Sequence, residues 1–160
     1  MAERSFTRPD ALDIRLVRVL RDDPRLGVLG LARALGVARA TVQSRLDRLL
    51  RSGAMSLEPR MHPARFGFPV SALVSVELRQ SDLDNPAAQR MAGIPEVTEI
   101  HSVSGQSDLL VRVVARSNED LQRVLYQILS IEQVLRTSTS ILLRTFLDHR
   151  TDAAFEHAAE

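Results

Sequence analysis

The chain has 160 residues, 44% of them hydrophobic, which suits one large domain or two small ones with packed cores and argues against a disordered tail. It contains no cysteine, so disulfides, thiolate catalysis and cysteine metal clusters are excluded and a reducing compartment is the simplest setting. The net charge of +1 conceals an uneven distribution: residues 1–55 hold 11 arginines against 6 acids, net +5, and residues 56–160 hold 10 against 14, net −4. A basic front half joined to an acidic back half predicts two domains, the first with an anionic partner.

Every strong cation is an arginine, because the chain has no lysine. Arginine suits bidentate contacts with phosphate and guanine, although a lysine-free chain points to genome composition rather than to the design of one site. The opening "MAERSFTRPDALD" is charged and interrupted by proline, without the apolar run of a signal peptide, and nowhere do about 18 apolar residues follow one another. The expected setting is the cytoplasm, with no membrane partner.

The first periodic segment, "DALDIRLVRVLRDDPR", places Leu12, Leu16, Val19 and Leu20 on one helical face. Asp10 stands where it caps the helix start, and Asp22, Asp23 and Pro24 mark its end. In "VLGLARALG", Leu31, Ala32 and Leu35 share a face, and Gly36 sits where the chain turns sharply, as glycine at a helix C-terminus permits. The third segment, residues 38–52, aligns Val42, Leu46, Leu49 and also Leu50 toward the core before Gly53 ends it. Three short helices with tight connections make a helix-turn-helix unit.

In residues 54–69, "AMSLEPRMHPARFGFP", proline and glycine accumulate and Met55 and Leu57 alternate like a short strand, so this stretch reads as a wing or linker. Beyond it "VSALVSVELR" alternates Ala72, Val74, Val76 and Leu78. A modest helix over residues 84–92, strands in "EVTEIHSVSG" and "DLLVRVVA", a helix in "SNEDLQRVLYQILS" and a final strand over residues 134–147 complete the β-α-β-β-α-β order of a ferredoxin-like domain. The predicted fold is α+β: an N-terminal (winged) helix-turn-helix in residues 1–55, a wing or linker in 56–69, a ferredoxin-like domain in 70–150 and a C-terminal tail in 151–160. Valine, isoleucine and leucine alternating on both faces of so small a sheet predict that the face without helices is buried by dimerisation.

In a helix-turn-helix the second helix of the motif enters the major groove, and its N-terminal residues meet base edges. With Val42, Leu46 and Leu49 turned to the core, Arg39, Ala40, Gln43, Ser44 and Arg48 lie toward the exposed side and Thr41 near its front edge. Arginine reads guanine and glutamine reads adenine, while Arg45 and Arg51 suit phosphate. In a net positive three-helix unit, this pattern predicts contact with double-stranded DNA rather than a merely solvated helix face. Ala38 is an untypical N-cap, since serine, threonine, asparagine or aspartate is preferred there.

At this point the whole chain resembles the Lrp/AsnC family of prokaryotic transcription regulators. "LDIRLVRVLRDDPRLGVLGLARALGVARATVQSRLDRLLRSGAM" resembles its N-terminal helix-turn-helix, through the Leu-Asp opening, the Asp-x-Arg after the first helix, the Leu-Ala then Gly of the second, and the Arg-x-x-x-Leu-x-x-x-Gly of the third. "VSGQSDLLVRVVARSNEDLQRVLYQILSIEQVLRTSTSILL" resembles its C-terminal ligand-sensing domain. The likeness spans residues 10–147, and the order and spacing of its soft motifs make it specific.

The resemblance implies a sequence-specific DNA-binding regulator, a homodimer built on the sheet faces that often assembles further, and an amino acid effector bound between C-terminal domains. The family's Gly-x-x-Asp loop corresponds to Gly105, Gln106, Ser107 and Asp108, and its later hydroxyl-rich segment to Thr137, Ser138 and Thr139. A carboxylate can accept from an ammonium, while backbone N–H groups and hydroxyls hold a carboxylate. Two departures from the family pattern stand out: Ser107 replaces a common aromatic, and Glu132-Gln133 replaces a usual Pro-Gly. Read without the family, residues 105–108 are a hairpin turn between two strands.

Catalytic chemistry finds little support, and no enzyme activity, cofactor or metal is expected. His62, His101, His149 and His157 lack metal-ligand spacing, "GLARALG" lacks the lysine and hydroxyl of a phosphate loop, and Ser102 and Ser104 lack a nucleophile elbow. Ser117 reads as a helix cap. Three rivals remain: a sirohaem-decarboxylase-like enzyme of the same architecture, a nucleoid-associated protein of low sequence specificity, and a sensor that signals through a protein partner.

Overall fold

The computed structural model describes residues 9–79 and 86–148. They form two compact units, one of residues 9–59 with Leu147 and Asp148 and the other of residues 60–146.

The first unit holds three helices, α1 Ala11–Asp22, α2 Val28–Leu35 and α3 Arg39–Arg51. Asp10 caps α1 as expected: its side chain accepts from the N–H groups of Leu12 and Asp13, and the Asp13 side chain accepts from the Asp10 N–H in return, a reciprocal capping box. Gly36 ends α2 at φ +69°, and its N–H bonds back to Ala32 and Arg33. That left-handed residue makes the sharp turn into α3, and any side chain there would strain the backbone. Leu16, Leu20, Leu31, Ala32, Leu35, Val42 and Leu49 form the buried core, with Leu12, Val19 and Leu46 packed against it. Leu50 differs from expectation, because it lies 80° around the helix from Val42 and is exposed.

No strand forms among the described residues between α3 and the sheet, so of the wing and linker readings of residues 54–69 the linker is the one without a missing strand. Met55 instead packs against the helical core, and its N–H bonds to the carbonyl of Leu49. Leu57 is exposed. An alternating pair of apolar residues without a partner strand has no ladder to join.

The second unit is the ferredoxin-like domain. After a short 3₁₀ turn at Pro63–Phe66 come β1 Val70–Leu78, α4 Pro86–Ala92, β2 Val97–Ser102, β3 Leu109–Ala115, α5 Asn118–Leu129 and β4 Val134–Ile141. The sheet order is β2-β3-β1-β4 with every pair antiparallel. Residues 84 and 85 of the expected α4, residues 149 and 150, and the tail 151–160 lie outside the described residues. The last strand is shorter than expected because β1, its only neighbour, begins at Val70; the Leu142 N–H still reaches Ser71, and the chain then leaves the sheet.

Ala72, Val74, Val76, Leu109, Val111 and Val113 point from the sheet into a core closed by Ala87 and Met91 of α4 and by Leu121, Val124 and Ile128 of α5. Each fully buried branched side chain of this kind contributes about 1.5–3 kcal/mol relative to exposure. The other face corrects the expectation of two apolar faces. Strand register gathers Ser71, Leu73, Ser75 and Glu77 of β1 with Leu110 and Arg112 of β3, Glu99 and His101 of β2, and Arg136, Ser138 and Ser140 of β4. The alternation Val-Ser-Ala-Leu-Val-Ser-Val-Glu puts most of the valines on one side, so the open face is mixed and carries the cross-strand pairs Glu99–Arg112 and Glu77–Arg136.

Candidate nucleic-acid interface and effector segments

Helix α3 divides its polar residues between two directions. Opposite Val42 and Leu49, the exposed face carries Ala40, Gln43 and Ser44, with Arg39 on its flank at the N-terminus. Arg39 makes no hydrogen bond or ion pair among the described residues and is available to an outside anion. Ala38 provides no side-chain cap, so the first N–H groups of α3 also remain open, at the positive end of the helix dipole. Thr41 is partly buried at the front edge.

Arg45 and Arg48 have another partner than the one expected of them. Asp13 of α1 is fully buried, and its carboxylate accepts from Arg45 Nη1 at 2.9 Å and from Arg48 Nη2 at 2.6 Å. Arg45 Nη1 also bonds both carboxylate oxygens of Asp10, at 2.7 and 2.6 Å. The Arg45 guanidinium beside Asp10 holds that carboxyl below its ordinary value, and Asp10 in turn, with Asp13, raises the arginine. These two arginines therefore clasp the N-terminus of α1 to the middle of α3. Geometry fits the result: at 100° per residue Arg45 and Arg48 lie 60° and 120° from Val42 on the same side, the one that meets Asp10 and Asp13, whereas Arg39 lies 60° from Val42 on the other side. Asp13 went unrecognised as a buried anchor, although the Asp-x-x-Asp of a capping box was legible at Asp10 and Asp13.

Asp47 is the second residue that sequence reading passed over. It sits on the outward side of α3, and its Oδ1 accepts from Gln43 Nε2 at 2.8 Å. Its carbonyl accepts from Arg51 Nε at 3.1 Å.

The expected effector residues lie around the end of β1 without converging. Gly105, at φ +124°, turns the chain between β2 and β3, in the left-handed half of backbone space that favours glycine. Gln106 is exposed and Ser107 half-buried. Asp108 continues the ladder: its N–H bonds to Val76 and its carboxylate accepts from the Leu78 N–H at 2.8 Å. Thr137 pairs with Val76 across the other side of β1, two strand spacings or roughly 9.5 Å from the Asp108 end of β3. Thr137 and Thr139 share the helix-covered face with Val76 and Val74, while Ser138 lies on the open face opposite Ser75. The chain thus spreads these residues around the end of β1 and along β4 and splits them between the two faces of the sheet. A depression of about 530 Å³ on α5, lined by Glu119, Gln122, Arg123, Tyr126, Gln127 and Ser130, includes none of them.

His62 lies beside the 3₁₀ turn, and His101 stands 3.3 Å from Glu99; His149 and His157 lie outside the described residues. Burial pushes the Glu99 carboxyl up, but Arg112 and His101 beside it outweigh that and hold it below its ordinary value. Among the described residues no group of three or more potential ligand side chains could hold a metal, and no helix is long and apolar enough to cross a membrane.

Two family models match the chain: the AsnC-type helix-turn-helix domain over residues 10–50 and the Lrp/AsnC ligand binding domain over residues 71–152. An uncharacterised HTH-type transcriptional regulator of Pyrococcus horikoshii is 30% identical over 118 residues, 72% of this chain and 79% of its own. AsnC of E. coli shares the fold with a TM-score of 0.82 at 24% identity, over 90% of this chain and 98% of that one. A transcriptional regulator of Neisseria meningitidis in complex with L-Met also has a TM-score of 0.82, at 22% identity, over 94% and 99% of the two chains. The helix-turn-helix, the antiparallel sheet with its two helices and both family matches carry the same conclusion: the chain belongs to the Lrp/AsnC family of transcriptional regulators.

Proposed function

We propose that α3 reads double-stranded DNA in the major groove through Arg39, Ala40, Thr41, Gln43 and Ser44, while Arg45 and Arg48 hold the helix at its angle to α1. The observation that carries this reading is the division of α3 itself. Arg39 and the uncapped N-terminus face outward and unpaired, whereas the two central arginines are consumed by Asp13 and Asp10. Recognition helices present their N-terminal residues to base edges, and that is where the free groups lie.

A homodimer would set two such helices about one helical turn of DNA apart, roughly 34 Å, on an imperfect palindrome. The mixed open face of the sheet is not the strongest apolar support for that dimer. Leu143 is 94% exposed and Phe146 86%, and together with Leu135 and Ile141 they give β4 and the segment after it an apolar edge suited to a second copy.

The effector reading follows from the split geometry of residues 105–108 and 137–139. A small zwitterion needs an acceptor for its ammonium and donors for its carboxylate. One chain supplies Asp108, Thr137, Ser138 and Thr139 on different faces, so a closed site requires surface from another copy. The L-Met complex of the Neisseria meningitidis regulator supports an amino acid as the class of ligand. Such an effector shifts DNA binding only by its difference in affinity between two assemblies.

The test is a fluorescence-anisotropy titration against the DNA upstream of the protein's own coding sequence and against a scrambled duplex, at two salt concentrations, with and without a pool of amino acids. Preference for the upstream DNA, altered by the pool, is the expected result. A steep salt slope without preference would replace this reading with a low-specificity nucleoid protein, and no binding at either salt would overturn it.

A further inference from the structure

An acid on a surface that meets phosphates opposes binding, so Asp47 on the outward side of α3 calls for a reason. We propose that Asp47 is a positioning residue that sets base preference by fixing the Gln43 amide, an inference that rests on the reading of α3 as the DNA-recognition helix.

The chemistry is one-directional. An ionised carboxylate only accepts hydrogen bonds, so the Gln43 atom turned toward Asp47 Oδ1 has to be Nε2, and the 2.8 Å contact is of that kind. One of the two amide N–H donors is thereby occupied. Gln43 is left with Oε1 and a single N–H to offer a base.

That pair matches adenine, whose major-groove edge presents the N7 acceptor beside the N6 donor. Guanine presents two acceptors, N7 and O6, which a glutamine with one remaining donor cannot both satisfy. The Asp47 carboxylate itself, being acceptor-only, is also repelled by the guanine edge. Without Asp47 the amide rotates and exchanges its two ends, and the discrimination weakens. The residue therefore trades non-specific affinity for specificity, disfavouring wrong partners as well as favouring the right one. Gln43 and Asp47 are one turn apart on an exposed helix face, and neither belongs to the buried core, so substitutions there leave the fold intact.

The experiment selects binding sites from a pool of randomised DNA duplexes with full-length wild type, Asp47→Asn, Asp47→Leu, Gln43→Ala and the Asp47→Leu/Gln43→Ala double variant, and then measures their affinities for the selected and scrambled duplexes. Asparagine removes the charge and keeps an acceptor oxygen for Gln43 Nε2, but its NH2 can also meet Gln43 Oε1, so it fixes the amide less firmly. Asp47→Asn is expected to show a base preference between those of wild type and Asp47→Leu, while binding scrambled DNA more tightly. Asp47→Leu is expected to lose about tenfold in discrimination between A·T and G·C at one position of each half-site. Adding Gln43→Ala to it should cost nothing further there, since the two act as one unit.

Undiminished preference in Asp47→Leu overturns the proposal. A further loss on adding Asp47→Leu to Gln43→Ala overturns it too, because Asp47 would then act other than through Gln43. Preference that survives Gln43→Ala but not Asp47→Leu would make Asp47 a direct reader and contradict the positioning role. If wild type itself selects no sequence, the DNA-recognition reading falls, an outcome separate from the other three.

Discussion

The two units hold themselves together by different chemistry. In the ferredoxin-like domain, fourteen buried residues from three strands, two helices and the turn before β4 form an apolar core, and the ionic pairs Glu99–Arg112, Glu77–Arg136 and Arg123–Asp120 sit on its surface. The helix-turn-helix buries only seven in its cluster and adds a charged clasp in which buried Asp13 joins α1 to Arg45 and Arg48 of α3. A short three-helix unit has little apolar area to bury, so a charge-assisted link between its first and last helices carries weight that a larger core makes unnecessary. The lesson is that an arginine-rich helix cannot be taken whole as a binding surface, because part of its charge belongs to the fold.

The comparison would break first in the sheet domain. Ile128→Ala removes a fully buried side chain facing the sheet and should cost about 3–4 kcal/mol, seen as a lowered urea midpoint. Tyr126, the sole tyrosine in a chain without tryptophan, lies on the same helix and reports this unit by fluorescence. Asp13→Ala comes next. Two arginines and the Asp10 N–H lose their common acceptor, and the expected loss is about 3 kcal/mol in the helix-turn-helix, moderated because both guanidinium groups can reach water. Far-UV circular dichroism should show that loss while the Tyr126 transition stays in place. A smaller effect, about 1 kcal/mol, is expected for Gly36→Ala, which forces a Cβ into φ +69°.

The smallest effect sharpens the picture of the clasp. Arg45 holds the Asp10 carboxyl below its ordinary value of 3.8. With the folded-state value depressed, the pair's contribution is fully present above that pH and is lost as pH falls through the folded-state value. Asp10 is half-exposed, so the change is modest. Asp10→Asn should flatten the acid limb of the helix-turn-helix melting profile below about pH 4 and leave the neutral region's shape unchanged.

Much of this architecture is legible in the sequence, because helical periodicity at Leu16, Leu31, Leu35, Val42 and Leu49, the glycine at 36 and the period-two pattern at Ala72, Val74 and Val76 are local signals. Asp10 as a cap and Ser117 as a cap, which accepts from the Asp120 N–H, are local as well. What stays hidden depends on register and on long-range pairing. The polar character of the open sheet face emerges only when Ser75 is set beside Ser138 and Leu110. The clasp joins residues 32 and 35 positions apart, and periodicity says nothing of that separation. Asp108 reads as a ligand group in a motif, and its carboxylate turns out to hold the N–H of Leu78 on a neighbouring strand.

The measurement that tests the division of α3 most directly is the salt dependence of DNA affinity for wild type, Arg39→Ala and Arg45→Ala, by anisotropy on one duplex. An arginine that neutralises a phosphate adds about 0.9 to the slope of log affinity against log salt. Arg39→Ala should lower the slope by about that amount, and Arg45→Ala should leave it unchanged, because its charge is already answered by Asp10 and Asp13. An equal fall in both variants, or a fall in Arg45→Ala alone, would contradict the account.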